Sequence, residues 1–225
     1  MTFEHAVSEL TGGEEKVRGN PKVMAAACFI AVPALLLAAF LSGCGGKDQR
    51  KQQFVDGMVG LIQENQSQPE IAEEGRAAFQ RYYMSGFKDL ESAAAAAESF
   101  EKSNEKDRGT LQDLASLEKP DDSAASIAAS LEEGIVMMDK GNSIYADELR
   151  KAPGQSAEER AAIQSKGRAA MQVYLEGLDG IISSFKELSS YVKDNGLNGG
   201  EEVETWQKKF EDERRDIETA LRYMQ

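Results

Sequence analysis

The chain has 225 residues, with 39 acidic against 26 basic side chains and a formal net charge of −13. An acid excess of that size argues against nucleic acid as the main partner, because phosphate binding needs clustered cations. Hydrophobic residues at 41% and charged residues at 29% fit a globular protein, and one His and two Cys leave little material for metal or thiol chemistry.

The first recognisable element is apolar. Residues 23–41 (VMAAACFIAVPALLLAAFL) carry no charge, and as a helix the run measures roughly 28 Å, close to a hydrocarbon core. Lys16, Arg18 and Lys22 precede it, and Leu41-Ser42-Gly43-Cys44 closes it. Basic flank, apolar run and small-residue exit are the parts of a secretory signal. Leu41, Ser42, Gly43 and Cys44 also resemble the lipobox of bacterial lipoproteins. That resemblance implies a diacylglyceryl group on the Cys44 thiol, cleavage before Cys44 and acylation of the new N-terminus, since two or more chains anchor where one does not. The alternative is an uncleaved transmembrane helix with a chance cysteine at its end. Residues 1–16 carry Glu4, Glu9, Glu14 and Glu15, unlike a basic leader, so a translation start near Val17 is a further expectation. N-terminal mapping of the precursor with Met1 intact contradicts it.

The expected organisation is therefore a signal peptide over 1–43, a lipidated cysteine and flexible tether over 44–50, and an all-helical domain over 51–225. Removing 1–43 takes away three basic and four acidic residues, leaving 182 residues at net −12. It also removes His5 and Cys28, so the mature chain has no histidine and no intramolecular disulfide.

Phe54, Met58, Leu61 and Ile62 mark a first helix face. Pro69 suits the first turn of the next helix. Apolar residues from Ile71 to Phe100, among them Phe79, Tyr82, Tyr83, Phe87 and Leu90, read as one long second helix. Its run Ala93–Ala97 reads as plain helix propensity, in preference to a surface for close helix approach. The polar stretch 101–110 predicts an interruption, and 101–122 is the expected irregular region. Lys119-Pro120 breaks the chain, with Asp121, Asp122 or Ser123 as the next cap. Ile127, Leu131, Ile135, Met138, Tyr145 and Leu149 form a regular face that ends at Ala152-Pro153-Gly154. Ser156-Ala157-Glu158-Glu159 is a capping box. A clean face follows from Ile163 through Leu178, Ile182 and Phe185 to Val192, stopped by Asn195-Gly196. Gly199-Gly200 leads into a last face at Val203, Trp206, Phe210, Ile217, Leu221 and Met224. No segment alternates as a strand does. The fold class is all-α, a bundle of about four to five amphipathic helices.

Chemistry-bearing patterns are few. Without histidine, a mature HExxH motif, Glu-x-x-His di-metal motif or Ser-His-Asp triad is excluded. No P-loop and no GxGxxG unit occurs. Glu73/Glu74, Asp121/Asp122, Glu132/Glu133, Glu158/Glu159 and Glu201/Glu202 are paired carboxylates. A glycosidase needs such a pair facing across a cleft; these sit at helix starts or on polar faces, where complementing the helix dipole explains them. Tyr82, Tyr83, Met137 and Met138 read as core in preference to a cavity lining, and Trp206 as a packing anchor. Lys208/Lys209 and Arg214/Arg215 interleave with Glu211, Asp212, Glu213 and Asp216, so pairing along the helix is expected in preference to lipid contact.

The segment Lys47-Asp48-Gln49-Arg50-Lys51-Gln52-Gln53-Phe54 resembles the start of the mature part of enterobacterial YiaF-like lipoproteins, a family of unknown function. Tyr82-Tyr83-Met84-Ser85-Gly86-Phe87 and Tyr191-Val192-Lys193-Asp194-Asn195-Gly196 are similar to aromatic-Gly and Tyr-Val/Ile helix segments of that family. The resemblance implies a membrane-anchored helical lipoprotein and carries over no catalytic residue.

Together these readings predict a lipid-anchored bacterial envelope protein facing the periplasm. It sits in the cell membrane or the outer membrane, the latter favoured by the absence of Asp after Cys44. It is expected to be non-enzymatic, without cofactor or metal, and to act by binding envelope proteins. The alternative is a carrier of lipid or another hydrophobe in a cavity between helices. An exposed apolar patch favours partner binding, an enclosed apolar cavity of about 300 Å³ or more favours the carrier, and a cleft with facing, perturbed carboxylates favours an enzyme.

Overall fold

The computed structural model describes residues 46–65 and 69–223. Among the described residues the chain forms six α-helices and no strand: α1 Gly46–Asn65, α2 Pro69–Met84, α3 Leu90–Ser116, α4 Asp122–Lys151, α5 Ala157–Asp194 and α6 Gly200–Tyr223, with a 3-10 turn at Ala152–Gly154. The all-α bundle is as expected, with six helices in place of four to five.

The predicted punctuation explains most boundaries. Pro69 opens α2. Asp121 caps α4 by accepting from the Ala124 amide at 2.9 Å. Ser156 and Glu159 form the reciprocal capping box of α5. Gly196, at φ 62°, occupies the left-handed position that stops α5.

Three boundaries depart from expectation. Gly46 to Arg50 is the first turn of α1 rather than part of a tether, with Arg50 Nε donating to the Gly46 carbonyl at 3.0 Å. The long second helix is two helices. It breaks at residues 85–89, where Ser85 Oγ accepts from the Lys88 and Asp89 amides and Asp89 caps α3 through the Ser92 amide. Gly86 and Phe87 both have positive φ there. Stretch 101–110 does not interrupt anything: α3 runs through it, because Asn104, Asp107 and Thr110 recur every third residue and turn inward.

Two cores result. The larger joins α1, α4, α5 and α6 around Phe54, Met58, Leu131, Leu178, Phe185 and Phe210, and takes in Leu114 near the end of α3. The smaller lies between α2, the first half of α3, the second half of α4 and the start of α5, around Tyr82, Ala93, Ala96, Ala97, Tyr145 and Leu149. Ala93, Ala96 and Ala97 are fully or almost fully buried, so the alanine run is a contact surface and not propensity alone. Antiparallel α4 and α5 form the spine. A methyl added at Gly177 meets the Gly134 carbonyl oxygen at 2.6 Å and the Met138 amide at 2.7 Å, and one added at Gly141 meets the Ala170 carbonyl at 2.8 Å. The two backbones touch where side chains ordinarily stand.

Candidate functional site

Leu41, Ser42, Gly43 and Cys44 lie outside the described residues, as does the apolar run before them. No helix among the described residues is long and apolar enough to cross a membrane. The functional features that are described fall at four levels of the bundle.

The first is the end where α1 begins. Lys51 Nζ donates to Asn195 Oδ1 at 2.6 Å and pairs with Asp121 at 3.3 Å. Gln52 Oε1 accepts from the Asn198 amide at 2.8 Å, and the Tyr191 hydroxyl donates to Asp121 Oδ2 at 3.1 Å. Burial works against the Asp121 charge, but the Ala124 amide, Tyr191 and Lys51 together hold its carboxyl below the ordinary range. Burial, and then the negative partner, push the Tyr191 phenol up. These contacts fix the start of α1 to the end of α5 and the cap of α4.

Beside this network lies an open groove of about 520 Å³ between α4 and α5. Ser123, Ser126, Ser183, Lys186, Ser190 and Asp194 line it, with Ile127 and Tyr191. Its walls mix hydroxyls and both signs of charge, and it is not the enclosed apolar cavity that a lipid carrier calls for.

The second level separates the two cores. Asn65, the last residue of α1, donates to Asp107 Oδ1 at 3.2 Å and Thr110 Oγ1 at 2.8 Å. Asn104 donates to the Asp139 carbonyl and to Ser143 Oγ. The Tyr174 hydroxyl of α5 donates to Glu213 of α6 at 3.0 Å. Burial pushes the Asp107 carboxyl up to about 6; the Asn65 hydrogen bond opposes the rise, while Asp139 and Glu213 add to it. The stretch 101–110, expected as an interruption, supplies most of this belt as helix; the three-residue spacing of Asn104, Asp107 and Thr110 is the signal that could have found it.

The third level is the smaller core. Tyr82 and Tyr145 are buried, and their hydroxyls have no hydrogen-bond partner among the described residues. Burial raises both phenols. Glu148 is held low by hydrogen bonds from Lys166 and Lys151.

The fourth is the tip, where α2 turns into α3. Phe79, Tyr83 and Phe87 form a chain of ring contacts, tilted between Phe79 and Tyr83 and edge-to-face between Tyr83 and Phe87, with ring centroids 6.5 and 5.5 Å apart. Tyr82 is core as expected, whereas Tyr83 is 40% exposed and Met84 76% exposed. Phe87 holds φ at 63°, a conformation that costs of order 1–3 kcal/mol in a non-glycine residue.

The remaining sequence candidates are structural. Asp121 and Asp122, Glu158 and Glu159, and Glu201 and Glu202 sit at helix starts; Glu74, Glu132 and Glu133 are exposed. The side chain of Glu73 lies outside the description. Met138 is core. Trp206 packs against the larger core with Lys209 over its ring at 3.8 Å. Arg214 pairs with Glu218 and Arg215 with Asp212 along α6, as expected, while Arg214 also pairs across to Asp179 of α5. No group of three or more potential metal-ligating side chains occurs among the described residues. Comparison with protein-family models, with curated proteins and with solved structures gives no match.

Proposed function

We propose that the protein is a lipid-anchored helical module of the bacterial envelope, non-enzymatic, that works by binding protein partners. Cys44 carries the anchor, and the bundle faces the periplasm from the cell or outer membrane. The carrying observation is the polarity of the bundle from end to end. Gly46 is already helical and Cys44 stands two residues before it, a span of at most about 7 Å, so an anchor at Cys44 holds the α1 end of the bundle close to the lipid. The exposed Tyr83 and Met84 occupy the opposite end, separated by the 27 residues of α3, roughly 40 Å of helix. An exposed aromatic and a flexible thioether, backed by the Phe79 and Phe87 rings, suit an adaptable protein contact. The resemblance to YiaF-like lipoproteins agrees with the anchor and adds no chemistry.

The anchor is tested by Cys44→Ser in the native host. The variant is expected to remain unprocessed and to lose its lipid; unchanged processing and lipid mass contradict the reading. The partner surface is tested with a photo-crosslinking residue at Met84 in intact cells. A discrete protein adduct that weakens with Tyr83→Ala supports it, and the absence of any protein adduct contradicts it.

A further inference from the structure

The belt between the two cores contains hydrogen-bond acceptors that no described residue satisfies. Asn104 Oδ1, Asp107 Oδ2 and Asp139 Oδ1 are buried without a partner among the described residues. Asn104 and Asp107 are 3% and 6% exposed, and the Asn104 and Asn65 amides direct their donors to other oxygens. An ionised carboxylate accepts and never donates, whereas a protonated one supplies an O–H. We infer that Asp107 is a proton-binding group set between the two cores, so that the bundle holds together more tightly when this carboxyl is protonated than when it is ionised.

Geometry makes the proton the fitting ligand. Two carboxylates and one amide oxygen fall short of the six or more oxygens a calcium ion takes, and a single proton on Asp107 turns one orphan acceptor into a donor. The charged groups around it come from every side. Asp139 of α4 and Glu213 of α6 repel an ionised Asp107, while Lys106 on its own helix attracts it. Arg108 acts on Asp139. Asn65 of α1 supplies an amide, and Tyr174 of α5 engages Glu213. Ionisation therefore places negative charge at the α1–α3 junction, within reach of the Asp139 and Glu213 carboxylates, so loosening is expected at that junction.

The direction of the pH effect follows from the upward shift. A carboxyl raised from the unfolded value of about 4 to about 6 stabilises the fold fully at the acid side, and that contribution is lost as pH rises through about 6. The loss corresponds to roughly a hundredfold in the folding constant.

The test is thermal unfolding of the full chain in detergent micelles, followed by helical circular dichroism from about pH 4 to about pH 8. The expected result is a fall in the melting midpoint as pH rises from about 4 to about 6, level above that, which Asp107→Asn abolishes and which Asp139→Asn brings to an end at lower pH. A wild type with no such step, or a step that survives Asp107→Asn, overturns the proposal and leaves solvation of the orphan oxygens as their explanation. If Asp107→Asn does not fold, carbon-13 titration of aspartate carboxyls in the wild type decides: a titration near 6 that Asp139→Asn shifts supports it, and its absence overturns it. Millimolar calcium or magnesium that raises the midpoint equally at every pH also overturns it, in favour of a metal.

Discussion

The two cores of this bundle solve the same packing problem by opposite means. The larger fills the space between α1, α4, α5 and α6 with bulk: Phe54, Met58, Leu131, Phe185 and Leu188 are all fully buried. The smaller draws α2, α3 and α4 together over Ala93, Ala96 and Ala97, and fills what remains with Tyr82 and Tyr145, whose hydroxyls find no partner among the described residues. The first gains from apolar area removed from water; the second gains less per residue and carries the cost of unsatisfied phenols. Stability should therefore concentrate at the end where α1 begins, leaving the exposed tip on the less stable half. Parts that recognise others are commonly drawn from the low-stability end of a protein.

That contrast breaks most readily in the larger core. Phe185→Ala is expected to cost about 3–5 kcal/mol of unfolding free energy, as deletion of a buried phenyl ring does, whereas Ala96→Gly in the smaller core should cost only about 1 kcal/mol. Chemical denaturation of both variants measures the difference, and equal losses would erase the distinction. Gly177→Ala, on the spine that both cores share, should cost about 3 kcal/mol through backbone overlap with Gly134. Its control is Gly60→Ala, where an added methyl meets nothing within 4 Å and a gain of up to about 1 kcal/mol is expected. Asp121→Ala removes the α4 cap and the partner of Lys51 and Tyr191 and should cost about 1–2 kcal/mol. The smallest effect sharpens the contrast best: Tyr145→Phe deletes a hydroxyl that has no partner among the described residues and is expected to be neutral or stabilising by up to about 1 kcal/mol. A clear loss in that variant would mean that the hydroxyl is satisfied by solvent.

Most of the spine was legible because its rules are local. Ser156 and Glu159, Asp121, and Gly196 announce helix ends by side-chain and backbone chemistry that needs no tertiary context. The failures arise where tertiary contact assigns a residue to a role its type does not suggest. Asn104, Asp107 and Thr110 look like loop residues until a polar belt gives them partners. The break at residues 85–89 hides because Phe79, Tyr82, Tyr83, Phe87 and Leu90 keep helical spacing across it, and because Phe87 adopts a left-handed conformation that its residue type disfavours. Gly134, Gly141 and Gly177 lower helix propensity when read singly; only the pairing of α4 with α5 reveals them as contact points. Of the candidate functional features, the lipobox was legible as a string of residues, whereas the belt and the exposed tip needed the fold.

Whether Cys44 carries the proposed lipid anchor is decided by intact mass spectrometry of the protein purified from its own host. The account predicts a chain that begins at Cys44 and carries a diacylglyceryl group with further acylation. A chain that retains the residues before Cys44, or one cut elsewhere and free of lipid, would contradict it.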